Sequence, residues 1–258
     1  MKRLNYKCFG HGEPIVICHG LFGSLSNWLS IAKSLSEHFL LILVDLRNHG
    51  ESFHCKSMTY LDMAQDVIDV LDDLGINQSY MIGHSMGGKV VMQVAASYPD
   101  RLLKGIVVDI APKQYELNRH DAVFNALFSV DLNQCKTRSD VDKQLSTSIN
   151  DASLRQFLVK NISARQGVLE WKIGLRNIYE NYSSIASEPQ IKGSVTVPMV
   201  FIRGADSDYI LSQDVEYINR RFSMNQLITI DQASHWVHIQ QPKTVESVIL
   251  NAFNTESL

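Results

Sequence analysis

The chain has 258 residues, 45% of them hydrophobic, with 24 basic and 27 acidic side chains for a formal net charge of -3. That length suits one α/β unit with or without an insertion. The near balance of charge gives no basic footprint for nucleic acid and no polybasic membrane patch, so the expected partner is a small molecule.

The start, Met1-Lys2-Arg3-Leu4-Asn5-Tyr6, lacks an apolar leader. No stretch approaches the ~20 apolar residues of a membrane span, which makes the cytoplasm the expected location and leaves oligomeric state open. Residues 4–9 alternate and meet Gly10-His11-Gly12-Glu13-Pro14, hairpin-like punctuation before the apolar run Ile15-Val16-Ile17-Cys18. A sheet that begins antiparallel is predicted. The run leads into His19-Gly20-Leu21-Phe22-Gly23-Ser24, followed by a helix over about 27–39 with Trp28, Ile31 and Leu35 on one face. His19, at a strand end before this loop, is read as a structural histidine. Residues 40–44 form a continuous apolar run, as expected of a parallel strand covered on both faces, and end in Asp45-Leu46-Arg47-Asn48-His49-Gly50-Glu51-Ser52. Asp45 and Arg47 are expected to form a structural ion pair there. From Tyr60 to Leu74 the apolar spacing is helical, with Gly75 as the stop, and Asp62, Asp66, Asp69, Asp72 and Asp73 read as a solvated face.

Gly83-His84-Ser85-Met86-Gly87 is a G-x-S-x-G stretch between the apolar run Tyr80-Met81-Ile82 and a helix-forming segment from Lys89. In that strand–turn–helix context the serine is a nucleophile candidate: glycines let strand and helix approach, and the helix N-terminus aims free N–H groups and a positive dipole end at the same point. Residues 104–110 are another buried strand, with Asp109 near its end. Residues 111–195 then lose strand alternation and fill with polar helical segments, which predicts a helical cap inserted over a cleft. Trp171, Phe124 and neighbouring aromatics are candidates to line an acyl pocket, with packing between cap helices as their other use. The strand signal returns at 197–203, ending at Gly204-Ala205-Asp206-Ser207-Asp208. A helix over about 212–222, a last strand at 226–230 and the loop Asp231-Gln232-Ala233-Ser234-His235-Trp236-Val237-His238 follow, before a C-terminal helix near Pro242. His235 is the base candidate. Cys8, Cys18, Cys55 and Cys135 show no paired or metal-ligand spacing and read as reduced thiols, most simply small buried hydrophobes. The expected organisation is an α/β core in two parts, 1–110 and 196–258, around a cap at 111–195.

These stretches together resemble the serine α/β-hydrolases, and within them the small bacterial esterases with a helical cap and their mitochondrial relatives. The carrying residues are 19–24, 45–52, 83–88, Val108-Asp109-Ile110-Ala111-Pro112 and 234–238. The resemblance implies a mostly parallel sheet with helices on both faces, and hydrolysis of carboxylic esters, acyl-CoA thioesters among them, without metal or organic cofactor. It implies an acyl-enzyme on Ser85, His235 as general base and acid, and an oxyanion hole made by the backbone N–H groups of Met86 and Leu21, with Phe22 the neighbour a one-residue shift would substitute.

For the third triad member the residues leave alternatives open. Asp109, Asp206 and Asp208 all follow strands expected to end at the same edge. The 206–208 turn follows the penultimate strand, the usual place; an isolated aspartate at 109 needs a hydrogen-bonding partner to be buried, which a histidine donor supplies. The resemblance of the 108–112 stretch puts Asp109 first and keeps Asp208 as the alternative acid. Two other functions remain on this fold: a carbon–carbon bond hydrolase, and a non-catalytic ligand-binding protein. Dehalogenase or epoxide hydrolase chemistry is disfavoured, because it requires a carboxylate nucleophile where Ser85 stands.

Overall fold

The computed structural model describes residues 2–165 and 167–253. Its centre is a seven-stranded sheet formed by β1 (Tyr6–Gly10), β2 (Glu13–Cys18), β3 (Phe39–Val44), β4 (Ser79–His84), β5 (Leu102–Val108), β8 (Met199–Gly204) and β9 (Asn225–Ile230), in the spatial order β1-β3-β2-β4-β5-β8-β9. Every pairing is parallel except β1 with β3. The alternation of side chains splits each apolar run between two layers. Ile15, Ile17, Leu41, Leu43, Ile82 and Ile106 pack with α1 (Leu29–Leu35) and α11 (Pro242–Phe253), while Val16, Cys18, Ile42, Val44, Met81 and Val107 pack with α2 (Tyr60–Asp73) and α3 (Met86–Ser97). Burying each such aliphatic side chain contributes roughly 2 kcal/mol, so strands made of them occupy the middle of the sheet.

Between β5 and β8 the chain inserts α4 (Asp121–Ser129), α5 (Arg138–Leu145), α6 (Ala152–Val159), the hairpin β6 (Ile162–Arg165) and β7 (Val168–Trp171), α7 (Leu175–Glu180) and α8 (Tyr182–Ala186). After β8 come α9 (Asp214–Arg221), β9, the single turn α10 (Val237–Gln240) and α11. The hairpin is not separable from helix in the sequence, because its strands are short and only half-buried. Phe124, Leu127, Leu145 and Leu158 of the insertion share one apolar cluster with the helices of the sheet's face, so the insertion has no core of its own.

Four local expectations are corrected. The turn at Gly10–Gly12 does reverse the chain, but β1 skips β2 and pairs with β3, from Tyr6 opposite Val44 to Gly10 opposite Leu40. A turn signal marks the reversal without naming the partner, and β2 already has parallel neighbours on both edges. Arg47 does not pair with Asp45; its guanidinium forks onto Asp66 at 2.6 and 2.9 Å. Asp66 is accordingly buried and not part of a solvated face, since a two-pronged cation offsets the cost of burying its carboxylate. Asp45 instead accepts from Leu25 N–H, Glu51 N–H and the Asn5 amide at 2.8, 3.0 and 2.7 Å, which closes the loop after β3. Among the cysteines all four are free, but only Cys18 and Cys135 are buried; Cys8 is exposed on the edge strand.

Candidate active site

Ser85 sits in the turn from β4 to α3 with φ 52° and ψ −120°, a conformation costly for a residue with a Cβ and held here by its surroundings. A Cβ on Gly83 would lie 2.1 Å from the Gly87 carbonyl oxygen, and one on Gly87 would lie 2.4 Å from that of Cys18. Only glycine lets strand and helix cross so closely. Ser85 N–H donates to Val108 O at 2.9 Å, so the turn is tied to the end of the neighbouring strand, β5. Asp109 follows at once, also at positive φ (55°), and its own N–H donates to Ile202 O at 2.7 Å. The two strand ends therefore place hydroxyl and carboxylate side by side.

His235 bridges them. Its Nδ1 lies 2.8 Å from Asp109 Oδ2 and its Nε2 lies 3.0 Å from Ser85 Oγ. An ionised carboxylate only accepts, so Nδ1 carries the proton and Nε2 is free to accept from the serine hydroxyl. Asp109 is fully buried; Gly204 N–H donates to its Oδ1 at 3.0 Å, and the Ser207 hydroxyl donates to Oδ2. Burial pushes Asp109 up to about 6, against the lowering effect of those two donors, and leaves it ionised at neutral pH. Burial, with the nearby His120 and Arg119, pushes His235 down to about 3, so the imidazole rests neutral. The ring is further fixed by stacking on Tyr209 at 3.5 Å between centroids, and its backbone carbonyl accepts from His84 Nε2–H at 2.9 Å.

Neither other aspartate reaches the histidine. Asp206 is exposed, and Asp208 is exposed and paired with Arg119. Among the described residues, the N–H groups of Leu21 and Met86 take no acceptor, and Met86 is the first residue of α3, where helix N–H groups are left without partners. Phe22 N–H is already committed to His49 Nε2 at 3.1 Å, which removes it as the alternative donor. His19 is structural: Nδ1–H donates to Gly20 O at 2.8 Å and Nε2 accepts from Leu46 N–H at 3.0 Å. Two clefts meet at Ser85, Leu21 and His120. One runs between Tyr60, Ile110, Tyr115 and Tyr182. The other runs between Val123, Leu154, Phe157 and Trp236. Of the expected lining residues, Phe124 is fully buried among Phe22, Tyr179 and Tyr182, and Trp171 lines a separate polar groove with Glu51 and His54. Of Ser207, Tyr209, Arg119 and His120, which also shape the site, only Ser207, inside the turn that offers Asp206 and Asp208, carries a local sequence signal. Among the described residues, no cluster of three or more His, Cys, Asp or Glu side chains could hold a metal ion, and no helix is long and apolar enough to cross a membrane.

The site is rich in buried, neutral histidine. Burial holds His19, His49, His84, His120, His235 and His238 all below the usual range. A histidine whose folded pKa is depressed leaves the unfolded chain binding more protons, so its stability contribution is complete above about pH 6.5 and is lost as pH falls. The buried carboxyls Asp66 and Asp109, both raised, act in the opposite sense but are fewer. Each uncompensated proton costs roughly 1 kcal/mol per pH unit, so Tm should fall by about 10 °C or more between about pH 7 and pH 5. Calorimetry across that window checks this, and a flat Tm contradicts it.

The chain resembles known proteins over nearly its whole length. The family model described as "alpha/beta hydrolase fold" matches residues 13–242. The chain is 35% identical to "Esterase YbfF" of Escherichia coli over 95% of its own length and 94% of that protein's. It is 36% identical to "sn-1-specific diacylglycerol lipase ABHD11" of Danio rerio, covering 96% of this chain and 81% of that one. Among solved structures, a "marine microorganism esterase" superposes with a TM-score of 0.94 at 40% identity, over 97% of this chain and 99% of the other.

Proposed function

Since the chain belongs to the α/β-hydrolase family and is a serine ester hydrolase, we propose that Ser85, His235 and Asp109 are its catalytic triad and that residues 111–195 are a cap over the cleft. The observation that carries the assignment is the unbroken line from Ser85 Oγ through the His235 ring to a fully buried Asp109, at 3.0 and 2.8 Å. As the Ser85 oxygen bonds to the ester carbonyl carbon, His235 Nε2 takes its proton and Asp109 stabilises the imidazolium. The carbonyl oxygen, now an alkoxide, lies against Leu21 N–H and Met86 N–H, where each backbone donor is worth about 3 kcal/mol in the transition state. His235 returns the proton to the leaving alkoxide or thiolate as the carbon–oxygen or carbon–sulfur bond breaks. Water, deprotonated by the same nitrogen, then hydrolyses the acyl-enzyme.

The tyrosine-walled cleft takes the acyl chain and the other takes the leaving group, and their aromatic walls fit an apolar ester. Turnover of nitrophenyl esters of graded chain length and of acyl-CoA thioesters, with fluorophosphonate labelling of Ser85, tests this reading; no labelling and no turnover would refute it. Phe157, half-buried on α6 and edge-on to Trp236 at 4.4 Å, narrows the second lobe. Phe157→Ala should shift the ratio of kcat/KM for acetates of large over small alcohols about tenfold, as expected for added apolar room in a pocket. A uniform loss across all alcohols would instead mark Phe157 as ordinary packing.

A further inference from the structure

Lys89, on the first turn of α3 behind the nucleophile, is 1% exposed. Lysine is almost never buried so fully without partners, because desolvating an ammonium costs several kcal/mol. Here Nζ donates to three backbone carbonyls, Lys113 O at 2.8 Å, Ala186 O at 3.2 Å and Ser187 O at 2.5 Å, and sits over the Tyr115 ring at 4.7 Å. Its three donors are thereby used, and none is left for a substrate anion. Lys113 lies where the chain leaves the sheet for the insertion, and Ala186 and Ser187 lie where it returns. The two stems also bond to each other, Tyr115 N–H to Ala186 O at 2.9 Å. One turn along α3, the buried Gln93 exchanges two hydrogen bonds with Gln190 of the returning stem, at 2.7 and 3.2 Å.

We propose that Lys89 is a positioning residue: it pins both stems of the insertion to the nucleophile helix and so fixes the shape of the tyrosine-walled lobe beside Ser85. The proposal rests on reading 111–195 as a cap over a serine nucleophile. The stems reach the lobe directly, through Tyr115, whose hydroxyl donates to Tyr209 O at 2.6 Å, and through Ile185, whose carbonyl accepts from the Tyr60 hydroxyl at 2.5 Å. A methionine at this position would fill the space at lower desolvation cost and would pin nothing.

The groups facing Nζ are Tyr60 from α2, Lys113 and Tyr115 from the outgoing stem and Glu188 from the returning one. Burial pushes Lys89 down to about 7, Lys113 adding to the effect and Glu188 opposing it. The ammonium that satisfies three carbonyls is therefore present below that pH. Above it the neutral amine has two protons for three acceptors, and the hold on the stems weakens.

Lys89→Met and the wild type are compared on an acetate and a decanoate ester from about pH 6.5 to about pH 9. In the wild type, KM for decanoate should rise with pH while KM for acetate does not. In Lys89→Met, KM for decanoate should already be about tenfold higher at the low end and no longer respond to pH, with phosphonate labelling of Ser85 within about twofold of wild type. Hydrogen exchange at the Tyr115 amide should quicken about tenfold relative to the β4 and β5 amides. Equal effects on both esters, or wild-type KM and exchange in the variant, would overturn the proposal. If the variant does not fold, the wild type decides alone, because parallel pH responses of the two KM values refute the clamp. Loss of Ser85 labelling in the wild type would instead refute the triad, and the exchange result would still judge the clamp.

Discussion

Ser85→Ala and His235→Ala should each lower kcat for a simple ester by about 10⁴- to 10⁶-fold, and the double variant should be little worse than either single one. The reason is geometric. Among the described residues, Ser85 Oγ has one base within reach, His235 Nε2 at 3.0 Å, and the imidazole has no other nucleophile beside it, so the pair acts as one device. Neither change should threaten the fold. Both side chains stand at loop ends above the sheet, and alanine at 85 keeps the Cβ already accommodated at φ 52°. Rates and melting temperature measured on all three variants check this. Losses that multiply, or turnover near wild type in either single variant, would contradict the assignment.

Asp109→Asn should cost about 10⁴-fold in kcat, whereas Asp208→Asn should stay within about tenfold of wild type. Asparagine keeps the shape of residue 109 but removes the charge that stabilises the imidazolium and selects its tautomer. The Gly204 N–H and the Ser207 hydroxyl, which now donate to a carboxylate, would also face an amide able to turn its NH₂ toward one of them. Asp208 carries no such role. It is exposed and paired with Arg119, whose guanidinium lies over Tyr209 at 4.1 Å and so touches the histidine's stacking partner only indirectly. Collapse in Asp208→Asn with full activity in Asp109→Asn would reverse the choice of acid.

The contrast between these aspartates shows what a sequence of this kind discloses. Ser85 was legible because the constraint is local: a positive φ, flanking glycines and the change from strand to helix all lie within a few residues. His235 was legible as the histidine just beyond the last strand. The acid was left open, because three aspartates follow strands ending at one edge and only packing decides which lies under the imidazole. Leu21 and Phe22 could not be separated for a similar reason, since the deciding partner is His49, 27 positions away. Tyr209 and Arg119 come to the site by tertiary approach, with no spacing to announce them. Trp171 misled because an aromatic in an insertion says nothing about the side it faces; the short hairpin turns it toward Glu51 and His54.

The bond from Ser85 N–H to Val108 O has a consequence for how such a chain comes to life on the ribosome. The proposed nucleophile and acid sit at the ends of adjacent strands within one βαβ unit, so their backbones are set by local sheet formation early in synthesis. The histidine lies 126 positions after the acid, beyond the whole insertion and the last strand. Until that histidine has been added, a nascent chain holds a shaped but inert serine with no proton acceptor beside it. A chain stopped before residue 235 would expose an unactivated hydroxyl, a weak nucleophile at its free pKa.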